Sequence, residues 1–216
     1  MTEELIQGSP EWRAARCGSL GASAIADATA RIKSGWGASR ANLMATLLTE
    51  RLTGSPVEGY QNAAMQWGIE NEPLARAAYE FIEGVEVKQV GMVKHPTIQW
   101  THASPDGLVG NDGLVEIKCP QTSTHIETLL GSAIDGKYVK QCQWQMACTG
   151  RIWCDLVSFD PRLPANMQLA VKRIRRDDEM IAGLESDVAE FLAELDGKMA
   201  ALKAKYAEPA NLMAAG

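Results

Sequence analysis

The segment SPDGLVGNDGLVEIKCP, Ser104 to Pro120, constrains the fold of this chain more than any other, because it reads as two strands closed by a tight turn. Leu114 to Cys119 alternates with the period of two that a strand imposes. Leu114, Glu116 and Lys118 therefore share one face, and Val115, Ile117 and Cys119 the other. Gly110-Asn111-Asp112-Gly113 is a strong turn signal, so the first arm, Asp106 to Val109, is expected to fold back antiparallel.

Register decides what such a hairpin can do. With an even loop, Asp106 lies opposite Ile117 and faces away from Glu116; an odd loop, or a bulge, sets it opposite Glu116 or Lys118. In the second case two carboxylates and an ammonium share a face, which is the minimal kit for cutting a phosphodiester with a metal ion. Hard Mg²⁺ takes carboxylate and carbonyl oxygens plus water, and Asp106, Glu116 and the backbone carbonyl of Ile117 offer them. The metal would acidify an attacking water, while Lys118 could hold that water or stabilise the developing negative charge. The same residues also suit the wet face of an ordinary hairpin, since Asp-Gly is a common turn pair.

At 216 residues the chain is long enough for one domain with a proper core. We expect a single domain over 1–216, with a helical part at about 1–84, a sheet core at about 85–175 and a C-terminal helix at about 177–206. No apolar run is long enough to span a bilayer, and Met1-Thr2-Glu3-Glu4 is acidic where a signal peptide would be basic. A cytoplasmic location is the corresponding expectation. The five cysteines are odd in number and form no C-x-x-C pair, which suggests neither a disulfide framework nor a zinc site. A net charge of −6 argues against a simple DNA-coating protein but leaves room for local basic patches. Candidates are Arg13, Arg16, Arg31, Lys33 and Arg40, then Lys137 and Lys140, and last Lys172-Arg173 with Arg175-Arg176.

The remaining patterning is mixed α and β. Ser9-Pro10-Glu11 reads as an N-cap with Pro at the first helical position, starting a short helix on which Trp12 and Arg16 share a face. A second helix should follow Gly21-Ala22-Ser23, with Ser23 as its cap or as a phosphate donor. Helical spacing continues over Ser39 to Leu52 and about Gln61 to Ile82, where Pro73 should kink or restart the helix. Strands are expected at Val85 to Lys94, Gln99 to Ala103, Ile152 to Phe159 and Gln168 to Ile174, and helices at Ser123 to Leu130, Gly136 to Cys148 and Asp177 to Tyr206. This order suits a mixed central sheet flanked by helices.

Further segments fall in a familiar order around the hairpin: Gln7-Gly8, Trp12, Arg16, Gly18 and Ala22-Ser23; Trp67-Gly68 and Glu70-Asn71-Glu72; Thr122-Ser123, Tyr138, Gln141, Gln143 and Met146; then Asp160-Pro161-Arg162. With Ser-Pro-Asp-Gly followed by Glu-x-Lys-Cys-Pro, the chain resembles the PD-(D/E)xK nuclease superfamily. Within it, the likeness is to the phage lambda exonuclease (YqaJ-type viral recombinase) family, from about Gln7 to the C-terminal helix. The resemblance implies a restriction-endonuclease-like α/β core with N-terminal helices and a long C-terminal helix.

It also implies roles. Asp106, Glu116 and the Ile117 carbonyl correspond to metal ligands, Lys118 to the catalytic lysine, and Glu72 to an acidic residue that orients the water and the metal shell. Arg16, Ser23, Ser104 and Gln141 occupy the places of a 5′-phosphate pocket. Lys33, Met65 and Gln143 fall at DNA-contact positions, Met65 either as an apolar wedge between bases or as a helix packing residue. The implied cofactor is Mg²⁺, in a one- or two-metal site, with Mn²⁺ as a substitute. The implied activity is 5′→3′ digestion of one strand of linear double-stranded DNA to 5′-mononucleotides, leaving 3′ tails. Its implied setting is a homotrimer working with a phage single-strand annealing protein in a bacterial cytoplasm. An endonuclease or single-strand nuclease of the same superfamily, or a non-catalytic DNA-binding module on this fold, are the alternatives.

Overall fold

A computed structural model describes residues 5–57 and 62–207; the acidic start at 1–4 and Gln61, where a long helix was expected to begin, lie outside them. In chain order the elements begin with α1 (Pro10–Arg16), β1 (Leu20–Gly21), a 3-10 turn (Ala22–Ala24), α2 (Ile25–Ala28), β2 (Arg31–Ile32), β3 (Gly35–Trp36), α3 (Ala38–Thr53) and α4 (Ala63–Glu83). There follow β4 (Val87–Lys88), β5 (Val93–Lys94), β6 (Thr101–Ala103), β7 (Gly107–Val109), β8 (Gly113–Lys118), α5 (Thr122–Leu129), α6 (Gly136–Thr149), β9 (Trp153–Phe159), β10 (Leu169–Arg175) and α7 (Asp178–Lys205).

Side-chain caps set several helix starts. Ser9, Asn62, Asp135 and Asp177 accept from the backbone amides of Trp12, Met65, Lys137 and Met180, and so begin α1, α4, α6 and α7. The main sheet has the order β10-β9-β8-β7-β4, with β8 and β9 parallel and the other neighbours antiparallel. A smaller sheet, β1-β6-β5, carries the N-terminal segment. Val115, Ile117 and Val157 pack with Ala75 and Tyr79 of α4 on one face of the main sheet. On the other face Leu114, Cys154 and Ile174 pack with Cys142 and Met146 of α6. The far side of α6 meets α2, α3 and α7 in a third cluster around Leu20, Ile25, Trp144, Val188 and Phe191. The result is the expected mixed sheet flanked by helices.

Three expectations about elements need correction. Val85 to Lys94 is not one strand: β4 joins the main sheet and β5 the small one, and the chain crosses between them. Gly91 permits the crossing, because a Cβ there would stand 1.8 Å from the Leu5 carbonyl oxygen. β6 begins two residues later than expected, since Trp100 adopts a left-handed backbone, φ 61°, that no strand accommodates. Pro73 does not restart α4, which runs through it from Ala63 to Glu83. The carbonyl that loses its partner belongs to Ile69 on the exposed flank, where water can replace the missing amide.

Candidate active site

The hairpin loop is Gly110-Asn111-Asp112, an odd count, and the register pairs Val109 with Gly113, Leu108 with Leu114 and Gly107 with Val115. The next step outward sets Asp106 opposite Glu116, the arrangement a metal-dependent cutting site requires. Asp106 accepts a hydrogen bond from the Ile117 amide at 2.6 Å. Glu116 is only 3% exposed and is held by three donors. Lys118 Nζ and Gln141 Nε2 donate to one oxygen, the latter at 2.7 Å, and Gln145 Nε2 donates to the other at 2.5 Å. Gln141 and Gln145 are four residues apart on α6 and so face the sheet together.

Glu72 approaches from α4, paired one turn on with Arg76. Asp106, Glu116, Ile117, Lys118 and Glu72 line one open cleft of about 780 Å³, with Met65, Ile69 and Tyr138 on its walls. Its size falls in the range of small-ligand sites.

The electrostatics show what this cluster lacks. Burial, and then the nearby Glu116 and Glu72 carboxylates, hold the Asp106 carboxyl well above its ordinary range. Burial would lower Lys118, but the pull of Glu116 and Asp106 outweighs it and keeps the ammonium protonated. Two acids that repel each other and one lysine that cannot neutralise both suit a divalent cation. Among the described residues no three carboxylate, thiolate or imidazole side chains form a metal cage. The residues that could hold such a cation are Asp106 and Glu116, with the backbone of Ile117 in the same cleft, and their hard oxygens suit Mg²⁺ better than a soft metal.

The residues expected to hold a 5′-phosphate are divided. Arg16 and Ser23 line a second cavity together with Arg13, Ser19 and Gly21. Ser104 is linked to it through Trp12, whose indole N–H donates to Ser104 Oγ at 3.3 Å while its ring stacks on Arg16. Gln141 is committed to Glu116 instead. Ser23 lies within the 3-10 turn and caps nothing.

Several of the candidate basic residues are paired with acids: Arg31, Arg40, Lys137, Arg173 and Arg176 meet Asp187, Glu194, Asp135, Asp155 and Asp178. Lys33 is exposed in the turn between β2 and β3. Met65, 53% exposed on the cleft wall, is positioned for contact rather than for core packing.

Gln143 is not a DNA contact. It is 2% exposed, donates to the Arg175 carbonyl and accepts from the Asp177 amide, so it ties α6 to the start of α7. Two positions from Gln141, it must point elsewhere on the helix. The same spacing argument points to Gln145, a residue the sequence reading passed over.

Comparison with known proteins gives a consistent picture. A profile of the YqaJ-like viral recombinase domain matches residues 11–152. The crystal structure of an alkaline exonuclease from Laribacter hongkongensis is similar over 92% of this chain and 98% of its own, at 52% identity and a TM-score of 0.86. The same exonuclease in complex with dAMP gives a TM-score of 0.87 at the same identity and coverage. A phage-related exonuclease from Haemophilus somnus is 14% identical over 85% of this chain and 96% of its own, TM-score 0.67, a likeness of fold alone. Curated protein sequences yield no significant match.

Proposed function

The chain belongs to the YqaJ-like viral recombinase family, and on that premise we propose that it is a Mg²⁺-dependent 5′→3′ exonuclease. It digests one strand of linear double-stranded DNA to 5′-mononucleotides and leaves 3′ single-stranded tails. The observation that carries this reading is the odd hairpin register, which brings Asp106 opposite Glu116 on the floor of an open cleft. The relative's complex with dAMP, a nucleoside monophosphate, supports the assignment of product.

Asp106, Glu116 and the Ile117 carbonyl would hold the cation, which supplies Lewis-acid activation of water and charge neutralisation at the phosphate. Gln141 and Gln145 orient the Glu116 carboxylate for that task. Lys118, beside Glu116 in the same cleft, would hold the attacking water or stabilise the developing negative charge. Glu72 orients the water from the α4 side. Arg16 and Ser23, with Ser104 held behind Trp12, seat the terminal 5′-phosphate, so that the adjoining phosphodiester lies against the carboxylates. Met65, on the cleft wall, and Lys33, exposed in the β2–β3 turn, contact the duplex. The protein works as a homotrimer with a phage single-strand annealing protein, in recombination inside the bacterial cytoplasm.

A linear duplex carrying one 5′-phosphate and an internal label tests the reading. Mononucleotides should leave the phosphorylated strand from its 5′ end, its partner should survive intact, and chelation of Mg²⁺ should stop the reaction. Oligonucleotide products, or cleavage of closed circular duplex, would overturn it.

A further inference from the structure

The cavity that holds Arg16 has a back wall which the roles above do not use. His102, 1% exposed on β6, lies beside Gly21 of β1 in the small sheet. Arg16 Nε donates to His102 Nε2 at 2.9 Å, and the Arg16 guanidinium carbon sits 3.9 Å from the centre of the Trp12 ring. The fit is close: a Cβ on Gly21 would stand 3.2 Å from both Arg16 Nη2 and His102 Nε2. A ring nitrogen that accepts carries no proton, so the imidazole proton is on Nδ1, which lies 2.9 Å from Ser19 Oγ and donates to it. Burial, and then the charge of Arg16, push His102 down to about 3. The ring is neutral throughout the working range.

Buried arginines elsewhere in this protein are held by acids: Arg40 by Glu194 and Arg51 by Asp196. A carboxylate partner fixes a guanidinium but cancels its charge. Arg16 is fixed instead by an aromatic face and a neutral acceptor. Glu50 lies in the same cavity and acts on it electrostatically, but its oxygens accept from the Gly18 and Val57 amides and form no ion pair with the guanidinium. Its two terminal nitrogens remain for a ligand in the cavity lined by Ser19 and Ser23.

We propose that His102 is a positioning residue for the 5′-phosphate: it locks the Arg16 guanidinium in place without neutralising it. The inference rests on the reading of the Arg16 cavity as the 5′-phosphate seat.

The test uses the full-length protein at saturating Mg²⁺, with initial rates measured against linear duplexes bearing a 5′-phosphate or a 5′-hydroxyl. Four variants are compared: Arg16→Ala, His102→Ala, His102→Gln and His102→Glu. The last two are matched in shape and both offer an acceptor oxygen, but only Glu cancels the charge. His102→Ala and His102→Glu should raise KM for phosphorylated ends about tenfold with kcat little changed, and reduce the preference for phosphate over hydroxyl. His102→Gln should stay within about threefold of wild type. Should His102→Ala not fold, the Gln and Glu pair carries the comparison. If Arg16→Ala loses the preference while His102→Glu keeps wild-type KM, the proposal fails. If Arg16→Ala keeps the preference, the phosphate seat itself is misassigned and the proposal fails with it.

Discussion

Asp106 is where residue-scale physics and function meet. Burial and the neighbouring Glu116 and Glu72 carboxylates raise its pKa, so the folded, metal-free protein binds a proton there more tightly than the unfolded chain does. Stability therefore declines as pH rises from the ordinary aspartate value, near 4, through the raised one. Asp106→Asn keeps an oxygen for the Ile117 amide and removes the charge. In chelator at neutral pH this variant should melt above wild type, by roughly 3–6 °C, and the difference should vanish near pH 3, where wild-type Asp106 is protonated in both states. Added Mg²⁺ should raise the wild-type midpoint and leave that of the variant nearly unmoved. A wild type that melts higher than the variant in chelator at neutral pH would contradict this account of the cluster.

At the scale of elements, α6 shows what was legible in the sequence and what was not. Its limits followed from helical spacing, and the hairpin faces followed from strand alternation, because both are local periodicities. The crossing from β4 to β5 and the late start of β6 were not legible, since they depend on Gly91 meeting Leu5 and on the backbone of Trp100. Gln143 illustrates the limit differently: order along the chain suggested a DNA contact, whereas helical geometry turns it toward α7. Gln141 and Gln145 grip Glu116 from one side of α6, and Gln143 braces α7 from another. Gln145→Ala should weaken the apparent Mg²⁺ affinity of cleavage by about 10–100-fold, because the buried carboxylate loses an orienting donor. Gln143→Ala should leave that affinity unchanged while costing about 1–3 kcal/mol in denaturant unfolding, since the Asp177 amide and the Arg175 carbonyl lose their partner. The reverse pattern would show the two sides of the helix to be misassigned.

For the whole molecule, a net charge of −6 leaves room for DNA through local sites: several basic side chains are paired with acids, Arg16 presents its charge at one cavity, and the acidic cluster of Asp106, Glu116 and Glu72 lies in another. Light scattering should give a mass near three times the 23.4 kDa chain, and a monomer under conditions of full activity would refute the trimeric assembly. The central claim is that the odd hairpin register assembles the cutting centre by setting Asp106 against Glu116. Single-turnover digestion of a 5′-phosphorylated linear duplex by Asp106→Asn, at saturating Mg²⁺ and with its folding verified, tests it most directly. The rate should fall by about three orders of magnitude or more, and digestion at the wild-type rate would contradict it.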